Sequence, residues 1–147
     1  MVEVMSIMNL ILRSEVPVSM AKVASRFDVH LFKFLLPPGA KLIEFGGSEK
    51  GDRVHLKLPL VGEWISDITE NGETENAWYF VDVGTKLPFP LKSWTHRHVL
   101  HAVEDRTVIE DDIHFSTGWL LGDVLFYPIL YASFYPRIRQ YKAYFKE

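Results

Sequence analysis

From Trp119 to Lys146 the chain carries its longest helical pattern, and a fold must find a wall to bury it against. At about 1.5 Å per residue such a helix runs roughly 40 Å, enough to cross a small domain. Leu120, Val124, Phe126, Leu130, Phe134, Ile138 and Phe145 supply apolar faces, and Tyr127, Tyr131, Tyr135, Tyr141 and Tyr144 thicken them. Pro128 and Pro136 each remove a backbone donor, so a kink or break is expected at both. Nearly everything upstream reads as short strands. A curved sheet gripping one long terminal helix buries both elements and encloses an apolar pocket between them.

The upstream chain supports that architecture. Val2 to Arg13 is β-branched and rich in Met and Leu, and reads as a first strand that Pro17 ends. Ser19 suits the N-cap of a helix in which Met20, Val23, Ala24, Phe27 and Leu31 share a face. Phe34 and Leu35 continue that face, and Pro37-Pro38-Gly39 stops the helix. Lys41 to Phe45 is a short strand closed by Gly46-Gly47, which no phosphate-loop pattern follows. In Arg53 to Leu60, Val54, Leu56, Leu58 and Leu60 alternate with polar residues, as in a half-buried strand. Glu63 to Thr69 and Glu75 to Val83 read as a hairpin around Asn71-Gly72. Gly84 to Leu91, with Pro88 and Pro90, is a loop or irregular edge. Trp94 to Val103 and Thr107 to Ser116 are two long strands around Glu104-Asp105-Arg106. Strand, helical segment, six strands and a long helix predict an α+β fold, one domain spanning residues 1–147.

Composition removes several function classes. A net charge of −3 argues against a general nucleic-acid binder. With no cysteine there is no disulfide framework, thiolate zinc site or cysteine nucleophile, which fits a reducing compartment. The N-terminus has Glu3 where a signal peptide carries a base, so a cytoplasmic protein is expected. Trp119 to Pro136 approaches the length of a membrane span, but Asp123 and two prolines argue against a transmembrane segment. An interfacial lipid contact stays open.

Polar chemistry concentrates on two neighbouring strands. His96 and His98 are two apart and face one way. Asp111 lies in Ile109-x-Asp111-x-Ile113-x-Phe115, an apolar face on which a carboxylate must be paired. Glu110 and Asp112 fall on the opposite, solvated face. A two-residue Asp105-Arg106 turn sets His98 opposite Ile113 and Leu100 opposite Asp111, making His98 a diagonal neighbour of Asp111. A one-residue change in turn length breaks that register. Two histidines and a carboxylate suit a facial metal triad, yet a bare His-x-His lacks further ligands, so neither metal nor cofactor is expected. The pair can instead serve as an acid/base dyad, orient a ligand or hold the fold. Arg13, Arg97 or Arg137 is the alternative partner for Asp111. No Gly-x-Ser-x-Gly elbow is present, which removes that class of hydrolase.

Trp94-x-His96-x-His98, then Ile109-x-Asp111-x-Ile113-x-Phe115, then the aromatic terminal helix with Arg137 and Phe145, together resemble the SRPBCC superfamily. These are the helix-grip proteins: START lipid-binding domains, plant pathogenesis-related allergens and polyketide cyclase-like proteins. The chain is similar to a bacterial subgroup of poorly defined function. By element order the resemblance spans nearly the whole chain. It implies an apolar or aromatic small molecule held between sheet and C-terminal helix. The expected walls are Trp78, Phe80, Trp94, Ile113, Phe115, Phe126, Leu130 and Phe134, with His96, His98 and Asp111 as the polar groups. Two other readings share the site. One is a cyclase- or dehydratase-like enzyme with His96 or His98 as general base. The other is an interaction protein whose interior its own aromatics fill. They part on whether His and Asp meet an open cavity or are consumed by the fold.

Overall fold

The computed structural model describes residues 8–146. The part of the predicted first strand before Met8 therefore lies outside the described residues. Strands β1 (Met8–Val16), β2 (Lys41–Phe45), β3 (Arg53–Leu58), β4 (Gly62–Glu73), β5 (Ala77–Lys86), β6 (Ser93–Val103) and β7 (Arg106–Ser116) form one antiparallel sheet. Its order is β1-β7-β6-β5-β4-β3-β2, so the chain closes back on itself beside the last strand. Helices α1 (Met20–Ser25) and α2 (Val29–Leu35) follow β1; α3 (Leu120–Phe134) and α4 (Pro136–Tyr144) end the chain.

Alternation determines which face each strand buries. β1 buries Leu10, Leu12, Ser14 and Val16, and β7 buries Thr107, Ile109, Asp111, Ile113 and Phe115. The interior divides into two apolar clusters. One joins Val16, Val23, Leu31, Leu100 and Ile109 to Tyr141 and Phe145 of the α4 segment. The other joins Leu10, Leu12, Trp94, Ile113 and Phe115 to Leu130 of α3. Along β6 the inward row reads Trp94, His96, His98, Leu100, so the histidines fall between the two clusters.

Several local expectations need correction. The first helical segment is two helices, because Asp28 leaves helical geometry and its side chain accepts from the His30 and Leu31 amides to start α2. Asn71-Gly72 is not the hairpin turn. Both lie inside β4, paired with Phe80 and Tyr79, and the chain turns at 74–76. The glycine serves packing: a β-carbon at Gly72 would sit 3.0 Å from Tyr79 Cε1. Leu60 is not an inward strand residue but the fully exposed tip of the β3–β4 turn, with φ 70°. β1 continues past Arg13 to Val16. α3 runs uninterrupted through Pro128, and the break falls at Tyr135, with Pro136 opening α4 where a missing N–H costs nothing.

Asp123 is wholly buried in the first turn of α3, and its Oδ1 accepts from the Thr117 amide and hydroxyl, both at 2.6 Å. It ties the start of α3 to the end of β7. Asp123→Ala is expected to cost about 1–3 kcal/mol in urea denaturation, because buried donors lose their acceptor. A loss within error of zero would mean that water replaces the carboxylate. Among the described residues no helix is long and apolar enough to cross a membrane.

Candidate functional site

The β6–β7 hairpin turns on Glu104-Asp105, with Glu104 at φ 58°, and not on Asp105-Arg106. The register therefore differs from expectation: His98 lies opposite Asp111, and His96 opposite Ile113. On the other side β5 sets Asp82 opposite His96 and Phe80 opposite His98. Each histidine nevertheless bonds the carboxylate diagonal to it. His96 Nε2 lies 2.8 Å from Asp111 Oδ1, and His98 Nε2 lies 2.7 Å from Asp82 Oδ2. The directly opposed contacts, His98 Nδ1 to Asp111 and His96 Nδ1 to Asp82, are both 3.8 Å. The crossing brings the two imidazoles into a stack, centroids 3.7 Å apart.

Arg137 enters from α4, its Nη1 3.3 Å from Asp111 Oδ1 and 3.5 Å from the Tyr141 hydroxyl. Aromatic rings enclose the cluster. Phe80 stacks on His98 at 4.2 Å, while Trp94 and Phe134 present edges to His96 at 5.9 and 5.8 Å. Trp64 packs edge-on against Trp94 at 4.7 Å. Among the described residues, three buried side-chain atoms lack a hydrogen-bond partner: His98 Nδ1 and Asp111 Oδ2 in this cluster, and His55 Nε2 away from it on β3.

Charge explains the titration behaviour. Burial opposes ionisation of Asp111, but the His96 hydrogen bond and the Arg137 charge outweigh it and hold the carboxyl down at about 2. Asp82 is likewise lowered against burial, by its His98 bond and the positive imidazoles. His98 moves the other way for a base: burial, then the charge of His96, lowers it to about 4 despite Asp82. Ionised Asp82 and Asp111 together exceed Arg137 by one negative charge.

His96, His98, Asp111, Trp94, Phe80 and Phe134 thus converge under the terminal helices. Ile113, Phe115, Phe126 and Leu130 form the adjoining apolar wall beneath α3. Trp78 lies further along, in the cluster under α1 and α4, against Phe27 at 5.7 Å. Two hollows, of about 210 and 530 Å³, lie on the surface around β2, β3 and α2, and none of the expected wall residues lines them.

Asp82 went unrecognised in the sequence, and Arg137 stood only among three alternatives. Trp78-x-Phe80-x-Asp82 shows the same signal as Ile109-x-Asp111, a carboxylate in register with inward aromatics. The set of potential metal ligands is also changed. Asp82, His96 and His98 each offer an atom within 4.8 Å of the others, whereas Asp111, expected in that triad, faces the Arg137 guanidinium. Both Nε2 atoms are already engaged by carboxylates.

No family model matches the sequence, and neither does any curated protein. Solved structures do. Norcoclaurine synthase from Thalictrum flavum, in complex with dopamine and hydroxybenzaldehyde, is similar at a TM-score of 0.65 and 12% identity, over 97% of this chain and 90% of that one. The structure of Ara h 8.0201 is similar at 0.62 and 16% identity, over 95% and 97%. An uncharacterised protein from Bacillus thuringiensis is similar at 0.66 and 17% identity, over 94% and 98%. With seven antiparallel strands closed around C-terminal helices, and with these likenesses along nearly its whole length, the chain has the helix-grip fold.

Proposed function

We propose that the chain binds an apolar or aromatic small molecule between the sheet and α3, with a polar group of that molecule held at the His98–Asp111 edge. The observation carrying this reading is the pair of buried, unpartnered atoms, His98 Nδ1 and Asp111 Oδ2, inside an aromatic shell. One ligand hydroxyl or N–H can donate to the carboxylate oxygen while a second donates to His98 Nδ1, which accepts because Nε2 carries the proton toward Asp82. Entry requires α3 to lift. Only Asp123 and Leu130 of its fifteen residues are buried. Aromatic ligands on the same fold, dopamine and hydroxybenzaldehyde on norcoclaurine synthase, agree with that chemistry.

A second reading, a cyclase- or dehydratase-like reaction, is favoured by one feature. His98 lowered to about 4 is neutral near pH 7, and its free Nδ1 is then available as a general base.

Native mass spectrometry of freshly purified protein tests the binding reading, followed by extraction of any bound molecule and titration with hydroxybenzaldehyde read by tryptophan quenching. Saturable binding is expected, weakened by roughly tenfold in Asp111→Asn, about the worth of one buried hydrogen bond. Elemental analysis of the same sample is expected to find no stoichiometric transition metal; about one zinc or iron per chain revives the Asp82–His96–His98 triad. No co-purified molecule and no saturable quenching would leave the aromatics as packing alone.

A further inference from the structure

Three connections emerge together at one end of the sheet. Neighbouring strands are antiparallel throughout, so the ends of β3, β5 and β7 point the same way. The β3–β4 turn, the β5–β6 loop and the β7–α3 link are joined there: Glu63 bridges Lys86, and the Lys92 amide donates to the Ser116 carbonyl at 2.8 Å. Large apolar side chains stand in solvent at these tips. Leu60 is 106% exposed, Phe89 88%, Leu120 63% and Trp119 58%, and Val61 and Leu121 are exposed beside them. Leu60 adopts φ 70°, a left-handed conformation that Gly or Asn takes cheaply and leucine does not. Turn geometry alone therefore does not account for a leucine there.

Charge is sorted along the same axis. Lys41, Lys57, Lys86 and Lys92 are exposed at the apolar end, and Lys41 and Lys57 line one hollow with Leu60. Of the acids near them, Glu63 pairs with Lys86 and Asp123 is buried. The turns at the opposite end carry Glu49, Asp52, Glu73, Glu75, Glu104 and Asp105 against Lys50 and Arg106, a net acidic balance. The eleven residues of β6 separate the ends by roughly 35 Å at ~3.3 Å each.

We propose that the lysine-ringed end docks on an anionic lipid surface. The tips of the three connections enter the acyl boundary, the lysines meet the phosphates, and the acidic end points away from the bilayer. A second copy is a poorer occupant, because it would set lysines against lysines. This docking stands independently of the ligand reading.

Sedimentation with phosphatidylcholine vesicles, with and without added phosphatidylglycerol, tests it. Binding is expected to the anionic vesicles only, and to be released as salt rises. Leu60→Asn combined with Leu120→Gln changes two exposed side chains and suits the turn and the helix start, so its melting temperature should match that of the parent. Its vesicle partitioning is expected to fall by about tenfold or more. Lys57→Gln with Lys92→Gln should weaken binding to anionic vesicles, while Val103→Asn at the far end should not. No binding to anionic vesicles, or equal binding by the Leu60/Leu120 variant, overturns the proposal. So does a concentration-dependent dimer in sedimentation velocity that this variant abolishes, which would assign the face to a second copy.

Discussion

Asp111→Ala is expected to destabilise the fold by roughly 3–5 kcal/mol, the loss typical of removing one partner from a buried ion pair. The residue is 1% exposed, and its carboxylate meets both His96 and Arg137. Without it the guanidinium stays buried beside Tyr141, opposed only by the more distant charge of Asp82, whose carboxylate is bonded to His98. A loss of that size is a large share of a domain's total stability of about 5–15 kcal/mol. Asp111→Asn, which keeps the shape and one acceptor, should cost less, on the order of 1–3 kcal/mol. The pairing is tested by a double-mutant cycle. His96→Ala should cost less once Asp111 is already alanine, with a coupling of about 0.5–3 kcal/mol. Replacing Arg137 by Met in the Asp111→Ala background should recover part of the loss, because the orphaned charge goes with it. Urea denaturation of these five variants measures all of these terms, and strictly additive losses would mean that the cluster does not act as a unit.

Acid should weaken the fold well before ordinary carboxylates titrate. His98 has an ordinary value of 6.5 and is lowered to about 4 by burial and by the charge of His96. Between those values the unfolded chain holds the proton and the folded chain does not. Stability is therefore full above pH 6.5 and declines as the pH falls toward 4, by about 3 kcal/mol in total for this one group. Asp111 is shifted in the same sense, from 3.8 to about 2, so its contribution is present above pH 3.8 and is lost as the pH falls toward 2. Melting temperatures across this range should trace a decline that starts near pH 6.5. His98→Gln should be less stable at neutral pH, having lost the stack on Phe80, but flatter between pH 6.5 and 4. A wild-type curve that stays level down to pH 4 would show that His98 takes its proton inside the fold, with Asp82 absorbing the charge.

Along single strands, the sequence was a reliable guide to which side faces inward. Ile109, Asp111, Ile113 and Phe115 share the interior face with Trp94, His96 and His98, and Glu110 and Asp112 do not. That much follows from the two-residue period of a strand, a property of neighbours along the chain. The same period marked Asp111 as a carboxylate needing a partner. The switch to helical spacing after Gly118 likewise announced the terminal helices, since it depends only on residues within a few positions of one another.

What each inward group touches was a different kind of question. The partner of His98 depended on whether the hairpin turned on Glu104-Asp105 or one residue later, a choice made by backbone dihedrals and by the sheet that both strands join. Asp82 and Arg137 are 29 and 26 positions from Asp111 in sequence, and they meet the cluster only because β5 lies beside β6 and α4 crosses above. Asn71-Gly72, a good turn in isolation, lies inside β4 opposite Phe80 and Tyr79, where the Tyr79 ring occupies the space that a side chain at position 72 would need. The sequence by itself determined the faces, the helix and the buried carboxylate, because those depend on local periodicity. Only the tertiary structure decided the diagonal His–Asp bonds and the Arg137 counter-charge, because contacts between distant segments depend on turn geometry and on how the layers pack.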